Sequence, residues 1–98
     1  MKYQVEILPK THEDIEGFFK FLKQNFVENN ILLKFRNLIY YKIYSLEYFP
    51  EIFPEVYKNY RRLLIKDYSI FYKVNKKEKR VIIHRFLHQS QDFKNHIK

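Results

Sequence analysis

The chain has 98 residues, 46% of them hydrophobic and 19% aromatic, with no cysteine, one glycine and a formal net charge of +8. This is enough apolar material for one modest core, a single domain over 1–98, and it excludes disulfides, zinc–thiolate sites and wholesale disorder. No stretch reaches a membrane-spanning length and Met1 to Pro9 lacks a secretory pattern, so cytoplasmic residence is expected.

In chain order, Tyr3, Val5 and Ile7 alternate with Lys2, Gln4 and Glu6, which predicts a short strand with one buried face, ended by Pro9. Thr11 is placed to cap a helix, with Asp14 as its capping-box partner and Glu13, Asp14 and Glu16 at the positive end of the helix dipole. The stripe Ile15, Phe18, Phe19, Leu22 and Phe26 follows helical spacing, and Gly17 weakens the helix or admits a neighbour. Asn29 or Asn30 caps a second helix with the stripe Leu32, Phe35, Ile39, Ile43 and Leu46, closing a helical hairpin.

Pro50 and Pro54 make Tyr48 to Tyr57 an extended crossing loop. Three strands follow: Arg61 to Ile65, Tyr68 to Val74 and Arg80 to His88, joined by Lys66-Asp67 and by a polar loop from Asn75 to Lys79. The order β-α-α-β-β-β predicts an α+β fold, a helical hairpin packed on a mostly antiparallel four-stranded sheet.

The charge is uneven. Residues 1–50 hold seven Lys/Arg against six Asp/Glu, whereas residues 51–98 hold twelve against five. A basic sheet face is therefore expected, suited to nucleic acid or to an acidic protein.

Several linked features carry a resemblance: Asp14-Ile15 opening the first helix, Leu46 and Pro50 closing the second, the strands Arg61-Arg62-Leu63-Leu64-Ile65 and Tyr68-Ser69-Ile70-Phe71-Tyr72, and the ending Arg85-Phe86-Leu87-His88 with Asp92. In their order and spacing they resemble the RelE/ParE superfamily of toxins from type II toxin–antitoxin systems, over nearly the whole chain. The resemblance implies a toxin held inactive by a cognate antitoxin, and one of two activities. RelE-like members cut messenger RNA in the ribosome; ParE-like members poison DNA gyrase.

If the chain is RelE-like, its catalytic candidates are Arg61, Arg62, Arg85 and His88. Such chemistry needs a proton acceptor, cations around the phosphate and an acid. Here the second basic position of the Arg61 strand falls on Leu63 or Leu64. Ser69 follows Tyr68 where the nucleases often have arginine, and Gln89-Ser90-Gln91 replaces a basic cluster. The ending through Asp92 is closer to the ParE branch, which is favoured; a non-toxic, degenerate binding module is the remaining alternative.

Arg61, Arg62, Lys66, Arg80, Arg85 and His88 are expected to face a target or the antitoxin, with Arg61 and Arg85 otherwise pairing with Asp92 or Asp67. The antitoxin, acidic and partly disordered, is expected to dock in an apolar groove along the helical hairpin lined by Phe18, Phe21, Tyr40 and Tyr44. No cofactor is implied. His84 and His88 on one strand lie roughly 13 Å apart at roughly 3.3 Å per residue, so no metal site is expected from them.

Overall fold

The computed structural model describes residues 2–96. Strand β1, Gln4–Ile7, leads directly into helix α1, Pro9–Gln24. The helix starts two residues before the expected Thr11. Pro9 occupies its first turn, where a missing N–H costs nothing, and Leu8 is the N-cap with no side-chain capping bond. No acidic residue lies in the first turn, so Glu13, Asp14 and Glu16 do not serve the helix dipole.

Helix α1 stops at Gln24, and Phe26, at φ 63° and 94% exposed, leaves the apolar stripe expected of it. Helix α2, Asn29–Ser45, is capped by Glu28 rather than by Asn29 or Asn30, again without a side-chain bond. Its predicted stripe holds: Ile39, Ile43 and Leu46 are fully buried, and Leu32 and Phe35 pack partly against the core. The helices are tied by Phe35 edge-on to Phe18 and Phe19, by an Arg36–Glu16 ion pair, and by the Arg36 guanidinium 4.4 Å above the Phe19 ring.

The segment after α2 is not wholly loop. Glu55–Tyr57 forms strand β2, which turns back into β3, Tyr60–Ile65. The turn residues Lys58 (φ 47°) and Asn59 (φ 68°) are both left-handed, the backbone of a tight type I′ hairpin. Strands β4, Tyr68–Asn75, and β5, Arg80–His88, complete a five-stranded sheet of order β1-β5-β4-β3-β2. Only the β1–β5 pair is parallel, so the sheet is mixed and has one strand more than expected. A short helix α3, Phe93–His96, follows.

The helical hairpin covers one sheet face, burying Leu63, Ile65, Ile70, Tyr72, Val81, Ile83 and Phe86 against Ile15, Phe19, Ile39 and Ile43. The other face has its own small core of Tyr60, Phe71 and Leu87, over which Val56 and Phe93 pack. Gly17 meets nothing: a Cβ there would have no atom within 4 Å. Gly17→Ala is expected to stabilise the fold by about 0.5–1 kcal/mol, because it restricts the unfolded chain in a helix position that has room for a methyl. A thermal melt checks this; an unchanged or lower Tm would contradict the free space seen at that position.

Candidate functional site

Two surfaces concentrate the chemistry singled out in the sequence: the C-terminal half of the sheet, and the flank of the helical hairpin. Their construction starts at the edge of β5. Strand β1 runs beside β5 only from Arg80 to Ile83, so beyond Ile83 that edge of β5 has no strand neighbour. Helix α1 satisfies it instead. The Ile83 carbonyl accepts the Leu8 N–H at 3.0 Å and the buried Thr11 hydroxyl at 3.1 Å, and Asp14 Oδ2 accepts the Phe86 N–H at 3.1 Å. Thr11 and Asp14 are thus edge-capping residues of the sheet, not a capping box of their own helix.

Asp14 also takes the Arg85 guanidinium in a fork, Nε to Oδ2 at 2.7 Å and Nη2 to Oδ1 at 2.8 Å, with side chains 11% and 13% exposed. Arg85 Nη1 donates to the His96 carbonyl at 3.1 Å, which fixes α3. Arg85 therefore does not pair with Asp67 or Asp92. Asp92 instead accepts the Lys94 N–H and the Asn95 amide at the start of α3.

Arg61 is equally engaged. It donates to the carbonyls of Glu51 at 3.1 Å and Phe53 at 2.7 Å and pairs with Glu55 at 3.4 Å, so it clamps the segment before β2. Its expected partners Asp67 and Asp92 play no part. Arg80 is paired with Glu6 and Glu78. Lys66 sits in the left-handed turn and turns its ammonium back over the Phe35 ring at 5.1 Å.

Arg62 is different: it is exposed on the sheet face away from the helical hairpin and has no ion pair among the described residues. Ser69 on that face is buried. Phe93 stacks on Phe71 with centroids 4.3 Å apart, and Tyr57 meets Phe93 edge-on at 5.7 Å, so aromatic packing occupies much of the surface expected to be basic.

His88 ends β5 beside a groove of about 540 Å³ that is also lined by Asp14, Gly17, Phe18, Phe21 and Gln91. Its Nδ1 accepts the Ser90 N–H at 3.1 Å and lies 2.7 Å from Ser90 Oγ. A neutral His88 thus carries its proton on Nε2. His84, on the same strand, stands edge-on to Tyr60, and burial together with the nearby Lys73 charge pushes its pKa down. The four candidate catalytic side chains are therefore not one cluster: two are locked in structural bonds, and only Arg62 and His88 are open to a ligand.

The apolar groove expected along the hairpin is divided. Phe18 and Phe21 line the groove beside His88, whereas Tyr40 and Tyr44 line a second depression of about 560 Å³ with Tyr41, Tyr48 and Phe49. Tyr41, Tyr48 and Phe49 are 73%, 58% and 68% exposed. Sequence reasoning missed these three. Tyr41 lies off the α2 stripe, but nothing in sequence says that Tyr48 and Phe49, beyond the helix end, fold back beside it. Tyr40 faces α1, with its hydroxyl 3.0 Å from His12 Nδ1, and burial raises its pKa.

Residues 5–93 match the family model described as the ParE toxin of the type II toxin–antitoxin system, parDE. No curated protein sequence matches the chain significantly. Among solved structures, the toxin–antitoxin complex RelBE2 from Mycobacterium tuberculosis is similar at 14% identity and TM-score 0.63, with 90% of this chain and 99% of that chain covered. A free double-arginine mutant of the Escherichia coli toxin RelE is similar at 10% identity and TM-score 0.59, covering 97% and 98%. These likenesses concern the fold. No described helix is long and apolar enough to cross a membrane.

Proposed function

Since this chain belongs to the ParE toxin family of type II toxin–antitoxin systems, within the RelE/ParE superfamily, we propose that it arrests growth by binding and poisoning DNA gyrase, with no chemistry of its own. The observation that carries this reading is the engagement of the cations a ribonuclease would need. Arg85 is forked to Asp14 and Arg61 is spent on backbone carbonyls. Neither is free to neutralise a phosphate, and on the sheet face away from the hairpin Phe93 packs on Phe71, the register partner of Arg62. A binding toxin needs only a shaped surface, so such an arrangement costs it nothing.

The cognate antitoxin, on this reading, anchors apolar side chains in the Tyr40–Tyr44 groove, where exposed aromatic rings offer contact area of the kind buried at interfaces. An acidic, partly disordered segment complements the positive net charge of the toxin.

The competing reading, a ribosome-dependent messenger-RNA endoribonuclease, is favoured by the open pair Arg62 and His88. The two predict different results. For the gyrase poison, purified chain added to gyrase abolishes supercoiling, and Arg62→Ala/His88→Ala still arrests growth. For the nuclease, removing a general base alone lowers cleavage roughly 10²–10⁴-fold. Undisturbed supercoiling at large excess, with new transcript ends inside codons, overturns the gyrase reading. Normal growth on expression without antitoxin leaves only a non-toxic binding module.

A further inference from the structure

We propose that the end of the β4–β5 hairpin binds the phosphate backbone of duplex DNA, so that the toxin touches the DNA as well as the gyrase that holds it; this rests on the gyrase reading. Between positions 73 and 80 the sequence places Lys73, Lys76, Lys77, Lys79 and Arg80 against one carboxylate, Glu78. At that end of the sheet a depression of about 470 Å³ is lined by Asn59, Lys73, Val74, Asn75, Lys76, Lys77 and Ile82, with no carboxylate among them.

Two of the lysines lining the depression, Lys73 and Lys77, have no ion-pair partner among the described residues. The Lys73 ammonium is held 4.4 Å above the ring of Tyr60, a buried residue, and so is fixed by an aromatic face rather than by an acid. Lys76 is paired to Glu51 at 2.9 Å, and Arg80, outside the depression, to Glu6 and Glu78.

Ammonium and amide donors around a small depression suit phosphate oxygens. The wall contains no aromatic side chain, so it offers no platform for stacking unpaired bases. Its lysines and amides suit a sequence-independent contact with the backbone of a duplex.

The test is anisotropy of a labelled short DNA duplex titrated with the purified full chain over a range of salt. Two or three phosphate contacts give a slope of log affinity against log salt of about −2 to −3. Lys73→Gln/Lys77→Gln should weaken binding on the order of tenfold at low salt and flatten the slope by about two, because each phosphate-contacting lysine contributes about one. Lys77→Glu, at an exposed loop position, should weaken binding without disturbing Tyr60, while Lys20→Gln/Lys23→Gln on α1 should leave it unchanged. No DNA binding at low salt, an unchanged slope in the double variant, or tighter binding to single-stranded RNA would each overturn the proposal. The assay contains no gyrase, so the two readings fail separately. Supercoiling inhibited by a chain that does not bind DNA removes the lysine site alone; DNA binding by a chain that leaves gyrase unaffected removes the gyrase reading alone.

Discussion

Asp14→Ala is expected to destabilise the protein by about 2–4 kcal/mol, somewhat under the range for one member of a fully buried ion pair, because this pair is part-buried. The carboxylate accepts three bonds, two from Arg85 and one from the Phe86 N–H, all between 2.7 and 3.1 Å. Its loss leaves a largely buried guanidinium without a counter-charge and an unsatisfied N–H on the open edge of β5. A domain of this size has a total stability of about 5–15 kcal/mol, so the variant sits near the folding threshold. Arg85→Ala should fall in the same range for the converse reason. The pair is less stabilising than either deletion suggests, because both charges are desolvated in making it. The double variant Asp14→Ala/Arg85→Met should therefore recover much of the loss, with the Phe86 N–H accounting for the rest. Urea denaturation of the four proteins measures this. A single-variant cost below about 1 kcal/mol would show that the fork does not hold α1 to the sheet edge. If the double variant folds and still arrests growth, Arg85 serves the scaffold and not the target.

That clasp also marks where sequence reasoning reached its limit. The Asp14-Ile15 pair was legible as a signature, but local rules assigned Asp14 to its own helix terminus, since capping is the short-range use of an acid near Thr11. Its real partner lies 71 residues away and is required because β1 ends at Ile7, a fact of sheet register. The periodic elements were readable because their burial is periodic: Ile39, Ile43 and Leu46 on α2, and Leu63 and Ile65 on β3. Strand β2 was not, because two prolines flank its approach and its hairpin turns on Lys58-Asn59, without the glycine that usually announces a left-handed turn. The candidate site divided in the same way. The basic residue types were visible, but whether an arginine is free depends on distant carboxylates and carbonyls. Composition therefore predicted a basic sheet face where Phe93 packs on Phe71.

Stability is also expected to fall by about 2–3 kcal/mol between pH 10 and 12 on account of Tyr72 alone. Its side chain is fully buried, its hydroxyl donates to the Pro50 carbonyl at 2.7 Å, and burial pushes its pKa up to about 12, partly opposed by Arg61. The unfolded phenol titrates near 10, so below that pH both states are neutral and the contribution of the site is intact. Between the two values the unfolded chain gives up its proton while the native protein keeps it, which draws the equilibrium toward unfolding at about 1.36 kcal/mol per unit. Burial also raises Tyr40, Tyr60 and Tyr68, so their titration acts in the same direction. Tyr72→Phe separates the terms. At neutral pH it should cost about 1–2 kcal/mol, from the lost hydrogen bond and the Pro50 carbonyl left without a donor. It cannot ionise, so its stability should fall less steeply with pH and the two curves should meet near pH 11. Parallel curves from denaturant titrations across that range would mean that the Tyr72 hydroxyl is not sealed from water. The same bond ties β4 to Pro50, the residue following Tyr48 and Phe49, so the variant should also loosen the exposed aromatic groove assigned to the antitoxin.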